Sequence, residues 1–341
     1  MKEYLKKVVN QEDLTLEEMK QAAEVMFQEE TSDIAIGGFL SALSSKGETS
    51  DEIAGLVHVI REKSTLQLPQ DIADALDNCG TGGDGSQSFN ISTTSAFVIA
   101  GAGITVAKHG NRSVSSKTGS ADVLEHLGVS LNFSPEQTQE ILKENGIAFL
   151  FAPHVHPAMK RVMQVRKNLG IPTIFNLIGP LTNPIELSTQ LLGTYRRDSL
   201  DIMANALNKL GRKRALVLNG AGYMDEASLA GENHLVLLDR GELLPFTLTP
   251  EEVGLSTIDN EQIKGGDAKE NAAILRRVLE GETGPYRDTV IMNAGLAIFA
   301  NGKAGTVQEG VDFARESIDS GAALTKLDQL ITYSQKISQE V

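Results

Sequence analysis

The amino-acid sequence predicts an α/β protein, with a small all-helical domain at residues 1–65 and a large α/β domain at 70–341. Two observations predict this division. The first sixty-odd residues carry helix-start signals and apolar residues at helical spacing. From residue 74 onward, short strand-like segments alternate with longer helix-like ones, which is typical of a mainly parallel central sheet flanked by helices.

The bulk composition disfavours several classes of protein. The chain has 341 residues, 41% of them hydrophobic, and a formal net charge of −14. A nucleic-acid-binding surface normally has a basic face, and the acidic charge argues against one. Any anionic ligand must therefore be bound by local cations, backbone amides or a metal. Cys79 is the only cysteine, which excludes an intramolecular disulfide, and no apolar run has the length of a membrane span. We expect a cytoplasmic protein that binds neither membranes nor nucleic acid.

Capping boxes mark two helix starts in the N-terminal domain. Thr15 is followed three residues later by Glu18, and Thr49 is followed in the same way by Glu52. Apolar residues recur at helical spacing in these helices, and Gly47 predicts the end of one of them. We expect the helices to bury these apolar stripes on each other.

Six segments of the larger domain are predicted strands. They are residues 77–79, 104–107, 147–151, 190–194, 215–219 and 234–238, and helices are predicted at 268–279, 286–300 and 307–320. Between about 155 and 185 the strand rhythm lapses, because a helix reaching Leu169 is followed by an apolar turn bounded by prolines. We expect this stretch to join the N-terminal helices.

A glycine-rich loop follows the first predicted strand. Residues 80–85 read Gly-Thr-Gly-Gly-Asp-Gly, and polar residues continue to Thr93, where a helix is predicted to begin. Because the loop has few Cβ atoms, its successive backbone N–H groups can approach a ligand. A strand, such a loop and a helix N-terminus together are typical of a binding site for an anion such as phosphate. The glycines also match a dinucleotide fingerprint, but the next strand ends in Lys108 and not in a ribose-binding acid. A phosphate site is favoured over a dinucleotide site or a plain turn.

Two further polar segments follow predicted strands. Residues 108–120 contain three cations and several hydroxyl groups, and ligands of open α/β sheets bind at the carboxyl ends of strands. Asp225 and Glu226 follow the strand at 215–219. Adjacent carboxylates in a loop are usually only exposed, but beside two phosphate-like loops they are candidate Mg²⁺ ligands, with Ser92 supplying a hydroxyl. Arg166 lies in the helix that reaches Leu169, where an arginine is usually a surface residue.

Taken together, these segments closely resemble the anthranilate phosphoribosyltransferase family, whose enzymes join anthranilate to phosphoribosyl pyrophosphate (PRPP). The matching segments, in family order over essentially the whole chain, are residues 80–85 with 90–93, 108–120, 156–159 with 165–167, 176–184 and 225–226. The Lys-His-Gly-Asn-Arg run at 108–112 and the nine residues at 176–184 are far more specific than the glycine pattern. The resemblance implies a homodimer of the tryptophan pathway that uses Mg²⁺, two ions per active site.

The resemblance also implies which residues hold each ligand. PRPP would be held by Gly80, Gly83, Asp84, Ser88, Asn90, Ile91, Ser92, Thr93, Lys108, His109, Gly110, Asn111, Arg112, Ser113, Val114, Ser115, Ser116 and Ser120. Gly80, Asn111 and Arg166 would hold anthranilate, and Ser92, Asp225 and Glu226 would hold Mg²⁺. The loop at residues 80–84, Lys108 and Mg²⁺ would stabilise the transition state, and no general base is assigned.

Two residues depart from the family pattern. Ser88 stands where threonine is usual, which keeps the hydroxyl, and Tyr223 stands where the family generally has glycine. A tyrosine is strained there if the backbone needs a positive φ. A pyrimidine nucleoside phosphorylase shares the architecture, but Arg166 and residues 176–184 argue against it. A non-catalytic nucleotide- or nucleic-acid-binding relative is disfavoured by the intact Asp225-Glu226 pair and the acidic charge.

Overall fold

The N-terminal helices begin where the capping boxes predict. The computed structural model describes residues 1–67, 74–113 and 117–340, and its first helices are α1 (Lys2–Val9), α2 (Leu16–Phe27), α3 (Asp33–Lys46) and α4 (Ser50–Glu62). Thr15 and Thr49 each accept a hydrogen bond from the backbone of the glutamate three residues on. The buried Glu52 carboxylate also accepts the Leu14 N–H at 3.0 Å and pairs with Lys46 at 3.1 Å, so its charge is fully partnered.

One seven-stranded sheet forms the centre of the larger domain. Its strands are β1 (Leu76–Asp77), β2 (Val106–Gly110), β3 (Ile147–Phe151), β4 (Thr189–Gly193), β5 (Arg214–Asn219), β6 (Asn233–Asp239) and β7 (Glu242–Leu248). Their order across the sheet is β3-β2-β1-β4-β5-β6-β7. The five strands from β3 to β5 are parallel, and β6 and β7 are antiparallel. The prediction of a mainly parallel sheet flanked by helices is confirmed.

The remaining helices surround this sheet. They are α5 (Ile91–Gly101), α6 (Ser120–His126), α7 (Pro135–Glu144), α8 (Ala152–Val155), α9 (Lys160–Leu169), α10 (Phe175–Ile178), α11 (Leu200–Lys209), α12 (Ala268–Leu279), α13 (Pro285–Asn301), α14 (Val307–Asp319) and α15 (Ala322–Glu340). Strand β7 and helices α6, α7, α11 and α15 were not among the predicted elements. β7 is a largely exposed edge strand interrupted by Pro245, so it lacks the apolar alternation that marks a strand.

Two hydrophobic clusters pack on opposite faces of the sheet at β4, β5 and β6. On β5, Leu216 and Leu218 belong to the cluster that contains α5, α13 and α14, whereas Ala215 and Val217 belong to the other. This division follows from the two-residue period of a strand. Among the described residues, none of the helices is long and apolar enough to cross a bilayer.

The stretch from 155 to 185 shares a core with the N-terminal helices. Val162 and Val165 of α9 and Phe175 and Leu177 of α10 lie in the same cluster as the apolar faces of α2 to α4. The predicted helix up to Leu169 is divided into the short helix α8, a helical turn and α9. Gly170 follows α9 in the left-handed conformation, with φ 65°. Of residues 66–69, which separate the two predicted domains, 68 and 69 lie outside the described residues.

Candidate active site

The carboxyl ends of the parallel strands gather the polar segments at one edge of the sheet. Two boundaries differ from those predicted. The strand expected at 104–107 runs from Val106 to Gly110, so Lys108 and His109 are buried strand residues paired with β3 and not loop residues. Helix α5 begins at Ile91, with Asn90 as its N-cap, so Ser92 lies in the first helical turn.

The glycine loop and the Asp225-Glu226 pair are packed against each other. The Gly82 N–H donates to Oδ2 of Asp225 at 2.6 Å, and a Cβ atom at Gly80 would lie 2.4 Å from the same oxygen. A Cβ atom at Gly193, at the end of β4, would lie 1.6 Å from the Asp225 carbonyl oxygen. Glycine at 80 and 193 therefore has a steric reason, since any side chain there would displace the acidic loop.

The acidic residues form a concentrated negative charge. Burial and the neighbouring Asp84 carboxylate raise the pKa of Asp225 to about 7, and burial and Asp225 raise the pKa of Glu226 well above its usual value. Both side chains remain partly accessible to solvent although protein surrounds them. Lys108 opposes the shift at Glu226. Three carboxylates with one nearby cation favour an added divalent cation.

Mg²⁺ fits this donor set better than a transition metal does. Within the described part of the chain, no three histidine, cysteine or acidic side chains converge as a ready-made metal site. Mg²⁺ takes few carboxylates and completes its shell with waters and substrate phosphates. The Ser92 N–H donates to Oε1 of Glu226 at 3.1 Å, so Ser92 is adjacent to the acidic pair. The structure therefore brings Ser92, Asp225 and Glu226 together.

A segment that the motifs did not reveal joins the two anion loops. Asn90 donates to the Thr118 carbonyl at 3.4 Å and accepts from Asn271 at 2.8 Å. Thr118 in turn donates to the Gly266 carbonyl at 2.9 Å, and Ser88 pairs with Lys264 in an isolated bridge. The segment at 264–271 thus supports both loops. The sequence signal in this segment is the glycine pair Gly265-Gly266 before a capped helix. Such a pair is typical of any turn and does not indicate a binding site.

The remaining residues predicted to bind PRPP differ in how exposed they are to solvent. Ile91 and Thr93 are buried, at 1% and 2% exposure, and the Ile91 N–H already donates to the Phe89 carbonyl at 2.8 Å. Asn111 and Arg112 are exposed, and the Arg112 guanidinium is paired with carboxylates of α6. Gly83, Asp84, Gly110, Ser113 and Ser120 lie on the two loops or their ends, and Val114, Ser115 and Ser116 lie outside the described residues.

Arg166 is a half-buried cation without an acidic partner among the described residues. Its guanidinium stacks on the Phe175 ring at 5.2 Å, and Nη2 donates to Oδ1 of Asn176 at 3.2 Å. Its other short contact is with the sulfur of Met163. Burial lowers the pKa of Arg166, because no nearby carboxylate compensates the desolvation. Arg166 is therefore not the surface residue that its mid-helix position suggested, and its unpaired charge suits an anionic ligand.

The comparisons with known proteins agree with this arrangement. Residues 2–64 match the family model described as the helical bundle domain of a glycosyl transferase family, and residues 72–324 match its a/b domain. Anthranilate phosphoribosyltransferase from Exiguobacterium sibiricum is 61% identical over 340 residues, covering 100% of this chain and 99% of that protein. The enzyme from Bacillus cereus is 56% identical over 341 residues, with 100% of both chains covered. The chain belongs to the anthranilate phosphoribosyltransferase family.

Solved structures of anthranilate phosphoribosyltransferases share this fold. The enzyme from Thermus thermophilus superposes with a TM-score of 0.92 at 43% identity, covering 97% of this chain and 99% of that one. The enzyme from Saccharomyces cerevisiae in complex with PRPP and Mg superposes with a TM-score of 0.89 at 28% identity, covering 98% and 97% of the two chains. The same yeast enzyme has been solved with 4-fluoroanthranilate.

The position where this member of the anthranilate phosphoribosyltransferase family carries tyrosine is strained. Tyr223 has φ 62°, in the left-handed region that favours glycine. Its exposed ring stacks on the Arg197 guanidinium at 4.8 Å, and Arg197 donates to Asn219 at 2.9 Å. Asn219 donates onward to the Met224 carbonyl at 3.4 Å, next to Asp225. These contacts hold the turn in spite of the strain, and the Gly82–Asp225 hydrogen bond is retained.

Two residues of the anthranilate phosphoribosyltransferase site were missed from sequence because they are ordinary polar residues at strand ends. Asp77, fully buried at the end of β1, accepts from the His109 N–H at 3.3 Å and from Asn183 at 3.0 Å. Asn183 also donates to the Ala107 carbonyl at 2.8 Å. The pair fixes the end of β2, which carries Lys108, to the proline-bounded turn at 176–184.

Cys79 follows the same strand as a half-buried thiol. Burial raises the pKa of Cys79 to about 12, so the thiolate that a nucleophile requires is not formed near neutral pH. Cys79 is therefore a small packing side chain and not a nucleophile.

Proposed function

We propose that this chain transfers the phosphoribosyl group of PRPP to the amine of anthranilate, giving N-(5-phosphoribosyl)anthranilate and pyrophosphate, the reaction of its family in tryptophan biosynthesis. The observation that carries the proposal is the packing of the Asp225-Glu226 pair onto the glycine loop, through the 2.6 Å hydrogen bond from Gly82. This contact supports the proposal, because departure of a pyrophosphate needs a cation beside N–H groups that bind its phosphates.

PRPP is assigned to the two anion loops. The backbone of residues 80–84, the N-terminus of α5 at Asn90 and the buried Lys108 provide donors and positive charge. The further PRPP residues remain those implied by the family: Gly80, Gly83, Asp84, Ser88, Ile91, Ser92, Thr93, residues 109–116 and Ser120. Because Ile91 and Thr93 are buried, we assign their contribution to holding the start of α5 in position beside PRPP.

Asp225, Glu226 and Ser92 are assigned to Mg²⁺. When bound, Mg²⁺ neutralises charge that develops on the leaving pyrophosphate. The yeast relative whose structure contains PRPP and Mg supports use of this ion. Two ions per site is our proposal, supported by the three carboxylates Asp84, Asp225 and Glu226 that one cation would leave partly uncompensated.

Anthranilate is assigned to Arg166, Asn111 and Gly80. A guanidinium without an acidic partner can grip the carboxylate of anthranilate with two parallel hydrogen bonds and so orient its amine. The chain then acts mainly by holding the two substrates in line and by stabilising charge at the leaving group. Near neutral pH the buried His109 and His156 are neutral, because burial lowers their pKa values to about 3 and about 4.

Three broader assignments are also proposals. The helical domain would comprise residues 1–65 and helices from 155–185, supported by their shared hydrophobic cluster. A homodimer is supported by the exposed apolar side chains of Val9, Ile34 and Ile171 on this helical part. A cytoplasmic location is supported by the single cysteine. Light scattering that gave the mass of one chain at micromolar concentration would argue against the dimer.

A fluorescence assay tests the reaction. The protein is mixed with Mg²⁺, PRPP and anthranilate, and anthranilate fluorescence is followed. We expect it to decay only when all components are present. A parallel mixture of uridine and phosphate tests the phosphorylase alternative. Consumption of uridine with stable anthranilate fluorescence would replace our proposal by that one.

A further inference from the structure

The Arg112 side chain of the second anion loop already has strong partners within the chain. Its Nη1 lies 2.8 Å from Oε2 of Glu125 and 2.9 Å from Oδ1 of Asp122, and its Nη2 lies 3.1 Å from Oε1 of Glu125. The guanidinium also lies 5.6 Å from the centre of the Phe151 ring. A bidentate pair within a network of two carboxylates is held more firmly than an isolated surface ion pair.

The Asp122 carboxylate also holds the backbone on both sides of the loop. Oδ2 of Asp122 accepts the Gly119 N–H at 2.9 Å and the Ser113 N–H at 3.3 Å. The Asn111 carbonyl accepts the Ala121 N–H at 3.2 Å. Although burial raises the pKa of Asp122, the hydrogen bonds from Gly119 and Arg112 outweigh it and the pKa is lowered. Asp122 is therefore ionised near neutral pH and joins residues 111–113 to the start of α6.

We propose that Arg112, Asp122 and Glu125 form a clamp that positions the backbone at 111–113 and 119 for the phosphate groups of PRPP, and that Arg112 is a positioning residue and not a phosphate ligand. This inference rests on the proposed function. An anion loop binds through N–H groups, and fixing their orientation before the ligand arrives reduces the entropy lost on binding. Glu125 then increases the affinity for a polyanion, opposite to the effect of its charge alone.

The direction in which Glu125→Gln changes the KM for PRPP shows whether Arg112 is a positioning residue or a phosphate ligand. In Glu125→Gln, we expect the KM for PRPP to rise about three- to tenfold with the KM for anthranilate unchanged, which corresponds to loss of one ordinary hydrogen bond, since both side chains of this ion pair are exposed. Arg112→Ala should have a similar effect, and the double variant should be no worse than Arg112→Ala alone. Glu144→Gln serves as the matched control, because Glu144 is also exposed, on the neighbouring helix α7.

Two outcomes would overturn the clamp. If Arg112 binds phosphate directly and Glu125 only holds it back, Glu125→Gln would lower the KM for PRPP and Arg112→Ala would weaken binding far more. If Glu125→Gln matched the Glu144→Gln control in every constant, the clamp would have no role in PRPP binding.

Amide hydrogen exchange of the ligand-free protein gives a readout that does not depend on activity. The Ser113 and Gly119 amides should exchange faster in Arg112→Ala than in the wild type, because Asp122 loses the cation that fixes it. Unchanged exchange at both amides would also overturn the proposal. If the wild type failed to use PRPP while these amides still responded, the proposed function would fail and the clamp would remain as a structural feature.

Discussion

Replacing Arg166 by alanine tests the acceptor site. The guanidinium is half-buried, stacked on Phe175 at 5.2 Å and free of acidic partners within the described chain. We therefore expect its charge to be directed at the carboxylate of anthranilate. Loss of one charge-assisted contact of about 1.5–3 kcal/mol corresponds to a rise in the KM for anthranilate of roughly ten- to a hundredfold. Arg166→Lys should recover only part of this, since lysine keeps the charge and loses the planar fork.

Steady-state kinetics with both substrates varied gives the required constants. The KM for PRPP should change much less, because other loops hold its phosphates. Lys167→Ala is the matched control, since Lys167 is the adjacent exposed cation of α9. Aniline, which lacks the carboxylate, should be used equally poorly by the wild type and by Arg166→Ala. An unchanged KM for anthranilate in Arg166→Ala would refute the assignment and place the acceptor elsewhere.

Three further predictions concern the metal loop and the buried histidines. In Asp225→Asn with Glu226→Gln, turnover should fall and the Mg²⁺ concentration for half-maximal activity should rise, while the melting temperature changes little; an unchanged Mg²⁺ dependence would remove the pair from the metal site. Gly193→Ala places a Cβ atom 1.6 Å from the Asp225 carbonyl oxygen, so kcat should fall roughly a hundredfold through displacement of the acidic loop, whereas Gly38→Ala, which meets only an ordinary contact at 3.8 Å, should leave kcat unchanged. The pKa values of His109 and His156 are lowered to about 3 and about 4, so the unfolded chain takes up protons below its ordinary histidine pKa of about 6.5 and stability is lost as pH falls from there towards 4. Urea unfolding at a series of pH values gives the free energy of unfolding as a function of pH. His156→Asn should reduce the slope of that free energy against pH by up to about 1.4 kcal/mol per pH unit. An unaltered slope would show that His156 does not contribute.

Much of the fold could be predicted because its signals are local. The capping boxes at Thr15 and Thr49 involve residues three apart, and each places a helix start correctly. Strand β7 and the end of β2 depend instead on pairing with distant strands. Lys108 and His109 are polar, so the sequence suggested a loop, but pairing with β3 and burial under the 176–184 turn extend the strand through them.

The residues of the candidate site could likewise be predicted where their signal is local in the sequence. The glycine loop and Asp225-Glu226 were recognisable because each motif is contiguous and its chemistry needs those residue types. Asp77, Asn183 and Asn271 were not, since each acts through one or two hydrogen bonds to backbone brought near only by the fold. Arg112 had the right residue type, but the sequence could not reveal that Asp122 and Glu125 lie within hydrogen-bond distance of it.

The most direct test of the central claim is the stoichiometry of a single reaction mixture. Anthranilate loss and pyrophosphate release are measured together, with PRPP in excess and with Mg²⁺ either present or chelated. We predict one pyrophosphate released for each anthranilate consumed, a product mass equal to that of N-(5-phosphoribosyl)anthranilate, and neither change once Mg²⁺ is removed. Pyrophosphate release without anthranilate consumption, or anthranilate consumption that persists without Mg²⁺, would contradict the proposed transfer at the Asp225-Glu226 site.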